Sequence, residues 1–98
     1  MAQPKPKERK VKQPQQVREG PDGVTRSLKE ERRLNAIVVS VLGTTAGKEV
    51  MDYLRSISTN VAGGPNISSD HLRHLEGMRF MTAILQARIE AGHKEKAT

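Results

Sequence analysis

The chain has no cysteine and no tryptophan, and only one phenylalanine and one tyrosine in its 98 residues. Without cysteine it can form neither a disulfide framework nor a thiolate metal site. With so few rings, any core has to be aliphatic. No apolar run approaches the ~18 residues of a membrane-spanning helix. The N-terminus is basic, but no apolar stretch follows it, so it does not read as a signal peptide. The hydrophobic share is 35%, below the ~45–50% usual for globular chains. These deficits point to a soluble, cytosol-made chain with one small domain and a modest core.

Positive charge is what the sequence has in excess. Seventeen Lys and Arg face eleven Asp and Glu, for a net charge of +6. The excess is concentrated at the N-terminus, where Lys5, Lys7, Arg9, Lys10, Lys12 and Arg18 are opposed by Glu8 alone. Residues 34–98 carry seven positive and six negative side chains and are nearly balanced. The N-terminal stretch also holds Pro4, Pro6 and Pro14, with Val11 and Val17 as its sizeable apolar residues after Met1. It cannot bury enough surface to offset the entropy of ordering. Residues 1–24 are therefore expected to form a flexible basic arm rich in Pro and Gln. Pro21-Asp22-Gly23 reads as the turn that ends it.

Three segments then show helical spacing. Leu34, Ile37, Val38, Val41 and Leu42 recur at intervals of three and four, with Leu28 extending the face backwards. Thr25 or Ser27 suits the cap, and Gly43 the stop. The run Ile37–Val41 is β-branched enough for a strand, but the helix-forming Leu28–Asn35 before it favours helix. A second helix starts at Thr44 or Thr45, with Val50, Leu54 and Ile57 inward, and ends in Ser58-Thr59-Asn60. The loop Val61–Asn66, with Gly63-Gly64-Pro65, is the strongest breaker in the chain. A third helix opens at Ser68 or Ser69 and carries Leu72, Leu75, Met78, Met81 or Thr82, Leu85 and Ile89, with Gly92 as its natural stop. The expectation is an all-α fold, with two short helices and one longer C-terminal helix over residues 25–92. The basic arm precedes it and a short tail, 93–98, follows.

No constellation of catalytic residues emerges. Gly43-Thr-Thr-Ala-Gly47-Lys48-Glu49 evokes a phosphate loop but has three residues between its glycines where four are needed, and Glu49 replaces the magnesium-binding hydroxyl. His71 and His74 share a helix face, yet no further ligand joins them, so neither metal nor cofactor is expected. No serine or threonine has a His–Asp pair spaced to activate it. Three helices offer little cleft for paired carboxylates, and the chain reads as a non-enzyme.

Two binding features remain. Met81 reads as core, whereas Phe80 and Ile84 lie off the Leu75–Met78–Leu85 line. A second apolar stripe on a small helical unit points to a partner surface. The arm (Lys5, Lys7, Arg9, Lys10, Lys12, Arg18) suits a polyanion. It has no aromatic ring, so it cannot stack on bases and should bind DNA without sequence preference.

Gly47-Lys-Glu-Val50-Met51-Asp-Tyr-Leu54, then a glycine-bearing loop, then Glu76-Gly77-Met78-Arg79 resembles a family of small tailed-phage proteins whose type member comes from a Bordetella podophage. That family pairs a helix of the form Gly-x-x-Val-Leu-x-x-Leu with a later helix carrying Glu-Gly-x-Arg. The similarity covers about residues 36–90 and leaves the arm outside. Family members often carry an aromatic before the first motif, where this chain has Val38–Leu42. The resemblance implies a virion component made in the host cytoplasm. It would be present in multiple copies among portal, tail or ejection proteins and would have no membrane role. Within the motif, Gly77 is expected to permit close helix approach, and Glu76 and Arg79 to pair with each other or with a neighbouring subunit. Two other readings stay open. One is a small DNA-binding regulator using Thr45–Ile57 in a helix-turn-helix, against which Lys48 and Arg55 are opposed by Glu49 and Asp52. The other is a capsid decoration protein.

Overall fold

A computed structural model describes residues 16–97. The arm cations Lys5, Lys7, Arg9, Lys10 and Lys12 lie outside the described residues. The described chain runs through strands β1 (Val17–Glu19) and β2 (Thr25–Ser27), then helices α1 (Leu28–Leu42), α2 (Thr45–Ser56) and α3 (Ser69–Ala97). The fold is mostly helical, with a small two-stranded sheet.

The hairpin departs from the all-α expectation, and it takes in the end of the stretch read as arm. β1 and β2 pair antiparallel, with Val17 opposite Ser27, Arg18 opposite Arg26 and Glu19 opposite Thr25. Pro21-Asp22-Gly23 is the turn expected, but it folds the chain back on itself instead of only ending a segment. Gly23 sits at φ +83°, a conformation glycine adopts without penalty. The Gly23 N–H donates to Gly20 O, and the Val24 N–H to Asp22 Oδ1. At the open end the Leu28 N–H donates to Gln16 O at 2.9 Å, so the hairpin leads directly into α1.

Local capping follows the sequence. Ser27 Oγ accepts from the Glu30 N–H, Thr44 Oγ1 from the Gly47 N–H and Ser68 Oγ from the His71 N–H. Gly43 ends α1, its N–H closing on Val39 O. Gly47 allows the tight return from α1 to α2, because a Cβ there would fall 2.6 Å from the carbonyl carbon of Leu42.

The faces of the helices are less obedient. α1 buries Glu31, Asn35 and Val39, while Ile37 and Val41 of its apolar stripe are exposed, Val41 to 61%. The helix is rolled so that polar groups meet the buried Arg88 of α3, an interaction described below. On α2, Met51 is buried, whereas Val50 and Ile57, expected inward, stay exposed. On α3 the inward position falls to Thr82, not to Met81, which is 63% exposed. Burial in the described chain thus rests on Val39, Met51 and Leu75, together with the polar Glu31, Asn35, Ser58, Thr82 and Arg88.

Two glycines depart from the roles read from sequence. α3 does not stop at Gly92 but continues to Ala97, and Gly92 is buried where α1 crosses. A Cβ at Gly92 would overlap Val39 Cγ2 and lie 2.7 Å from Asn35 O. Gly77, expected to permit close approach, has nothing within 4 Å of such a Cβ. The helices of this chain meet closely at residue 92 instead, because α1 packs on the C-terminal half of α3. Gly92→Ala should destabilise the fold by about 1–3 kcal/mol through overpacking. Gly77→Ala should stabilise it by up to about 1 kcal/mol through helix propensity. Urea denaturation of the two variants, with circular dichroism as readout, checks the opposite signs.

Candidate functional site

The most heavily bonded region is polar and buried. Glu31 on α1 and Arg88 on α3 are 1% and 5% exposed. Arg88 Nη1 donates to Glu31 Oε1 and to Asn35 Oδ1, both at 2.9 Å. Arg26, from β2, donates to Glu31 Oε2 at 2.8 Å and to Asp22 Oδ2 at 2.7 Å. Asp22 also stands 3.5 Å from Arg88 Nη2. Asn35 Nδ2 donates to Glu95 Oε1 at 3.3 Å, which is one reason α3 runs past Gly92. Two carboxylates and two guanidiniums therefore join hairpin, α1 and α3. The hydrogen bond from Arg26, with that from the Val24 N–H, holds Asp22 well below the usual carboxylate range. Glu31 is lowered mainly by its bond from Arg88, against a desolvation that acts the other way. Arg26 is raised in turn, by its bonds to Asp22 and Glu31. The two carboxylates and two guanidiniums are partnered with one another, and they fasten the hairpin, α1 and α3 together.

The second region lies between α2 and α3. The Ser58 and Thr82 hydroxyls lie 2.9 Å apart, with Leu54 O in reach of the first and Met78 O of the second; each carries one proton, so one hydroxyl donates to the other while the second donates to its carbonyl. Beside them Leu54, Ile57, Met78, Met81 and Leu85 line an open groove of about 230 Å³. Arg79 donates to Ser58 O at 3.2 Å and to Val61 O, and pairs with Glu76 Oε1 at 2.7 Å. It thereby ties α3 to backbone carbonyls of the loop that follows α2. Leu54 of α2 and Met78 of α3, one from each of the two glycine-bearing motif segments, both line this groove.

No protein-family model, curated protein or solved structure matches the chain.

The residues singled out in the sequence divide accordingly. Phe80 is 54% exposed and Ile84 is half-buried one turn later, so they share a helix face. Glu76 and Arg79 form the intrahelical pair, with Arg79 committed to the loop it clamps. Arg18, read as an arm cation, sits on β1 and lies 3.4 Å from Glu95. His71 and His74 are exposed, and among the described residues no group of three or more His, Asp or Glu is placed to hold a metal. No described helix is long and apolar enough to cross a membrane. Arg55, one of the two cations of the helix-turn-helix reading, is held by Asp52 at 2.8 Å and Gln86 at 2.7 Å.

The buried Arg88–Glu31–Asn35 cluster went unread in the sequence. Its pairing spans 57 positions, and nothing local announces it. The available signal was a polar row at helical spacing, Glu31 and Asn35, beside the apolar stripe of α1.

Glu31 and Asp22 titrate lower in the folded chain than in the unfolded one. Their contribution is therefore complete above about pH 5 and is lost as pH falls through and below about pH 4. Urea midpoints measured from pH 6 to pH 3 should fall steadily in the wild type. Glu31→Ala should cost about 3–5 kcal/mol at neutral pH, because it leaves Arg88 buried without its partner. It should also flatten the acid dependence.

Proposed function

We propose that this protein is a non-enzymatic structural component of a tailed-phage particle, associated with the portal and tail or with the internal ejection apparatus, where it occurs in several copies. Its basic arm contacts DNA, or the wall of the channel through which DNA passes. The observation that carries this reading is the amount of apolar surface left uncovered on a fold with so small a core. Ile37, Val41, Val50, Tyr53, Ile57, Leu72, Phe80 and Met81 are all exposed. Surface of that extent is costly for an isolated chain and ordinary for a subunit that docks. The likeness to the small podophage proteins supports the setting. Its two motifs fall on α2 and α3 and each lends a side chain, Leu54 and Met78, to the groove between them.

The regulator reading loses support, since Arg55 is tied down within the chain. Mass spectrometry of purified phage particles should detect the protein at a fixed ratio to portal subunits. Phe80→Asp and Ile84→Asp should keep the wild-type helical circular dichroism while incorporation into particles falls at least tenfold. Absence of the protein from purified particles would overturn the assignment, and normal incorporation of both variants would overturn the docking face.

A further inference from the structure

Residues 16–97 contain eight arginines, at positions 18, 26, 32, 33, 55, 73, 79 and 88. Seven of them lie within 4.0 Å of a carboxylate oxygen. Arg32 is the exception among the described residues. It is exposed on α1, and Lys29, one turn earlier on the same face, is exposed and likewise makes no ion pair with a described residue. The adjacent acid, Glu30, does not offset them, because Arg33 holds it through two bonds of 3.0 and 2.8 Å. Glu31 points the other way, into the buried cluster. Two cations thus stand together without a counter-charge in a fold that pairs its other arginines.

Their position matters as much as their number. The N-terminal arm joins the described chain at Gln16, and Gln16 O accepts the Leu28 N–H, one residue before Lys29. Gln16, the first described residue after the segment that carries Lys5, Lys7, Arg9, Lys10 and Lys12, is thus held at the turn of α1 that bears Lys29 and Arg32. We infer that Lys29 and Arg32 form a phosphate-binding pair on α1, beside the point where the basic arm joins the fold, with the backbone of duplex DNA as its ligand. The inference rests on the reading of the arm as a polyanion binder. Duplex DNA presents about one phosphate per 1.7 Å of axis, so two cations one helical turn apart can engage neighbouring phosphates. The guanidinium of Arg32 supplies a planar fork suited to phosphate oxygens, and Lys29 a point charge beside it. No aromatic side chain accompanies them, so the surface grips the backbone and leaves sequence unread. Lys48, Lys94 and Lys96 also lack a carboxylate partner among the described residues, but they sit on the first turn of α2 and the last turns of α3 and serve as controls.

Fluorescence anisotropy with the full chain and a short labelled duplex, titrated over a series of salt concentrations, tests the surface. Replacing both residues, Lys29→Gln with Arg32→Gln, should make the slope of log K against log salt shallower by about 2, since each phosphate contact contributes ~0.9. Lys48→Gln with Lys94→Gln should leave the slope unchanged, and both variants keep the wild-type circular dichroism because the four side chains are exposed. If the wild type binds, an arm variant (Lys5, Lys7, Arg9, Lys10 and Lys12 to Gln) loses binding, and the Lys29/Arg32 variant matches wild type, the surface on α1 is overturned while the arm reading stands. An equal effect of the control pair overturns it too. If the wild type shows no salt-dependent binding, both fall, and an acidic protein surface becomes the arm's partner.

Discussion

A guanidinium buried between two helices constrains the rest of this fold. Arg88 cannot be left without a negative partner, since an unpaired charge away from water costs far more than a small domain can sustain. Glu31 meets that demand, Asn35 adds a second acceptor, and Asp22 and Arg26 bring the hairpin in to complete the set. Through this one requirement the roll of α1 is fixed, its polar row facing inward and its apolar stripe displaced toward solvent. The length of α3 follows as well, since Glu95 must come round to Asn35. Such a cluster adds little net stability over an apolar core of the same volume. It gives the arrangement of hairpin, α1 and α3 a specific geometry, because sliding or rolling either helix would strand a charge.

The contrast between what was legible in the sequence and what was not follows the range of each interaction. Ser27, Thr44, Ser68, Gly43 and the Pro21-Asp22-Gly23 turn act on neighbours a few residues away, and each was readable. The roll of α1 was not, because spacing shows which residues share a face and not which face is buried. Gly92 and Gly77 illustrate the same point. Both are helical glycines, and only the position of α1 makes one a contact point and leaves the other open. Met81 and Thr82 exchanged places for a related reason: Thr82 can satisfy its hydroxyl against Ser58, so a polar residue takes the buried position. The hairpin escaped notice because its three-residue strands are too short to show alternation.

Stability and recognition are divided between different parts of the chain. Opposite charges are matched inside the folded unit, whereas most of the apolar surface that could have formed a larger core is turned outward. The α2–α3 groove has walls of methionine, leucine and isoleucine and a floor closed by the Ser58–Thr82 pair. Methionine adapts its shape to what it meets, so these walls suit a contact formed during assembly. Among the described residues the cations without a carboxylate partner are Lys29, Arg32, Lys48, Lys94 and Lys96, and none of them lines that groove. Apolar docking and polyanion contact would therefore proceed through separate surfaces.

The hairpin has a mechanical consequence. Tension applied to the N-terminal segment enters the fold at Gln16, at the open end of the two strands. There the bonds to Leu28 and then the pairings of Val17, Arg18 and Glu19 are loaded one after another, as in a zipper, and not all together as in shear. Three residue pairs opposed in this way resist little force. The Arg18–Glu95 contact would yield early, and the grip of Asp22 on Arg88 last, since it lies at the turn. Opening the hairpin would release residues 16–27 as slack, up to about 3.3–3.6 Å per residue. The hairpin is therefore the part of the fold that yields first to a pull on the N-terminal segment, ahead of the helix-to-helix contacts of α1 and α3.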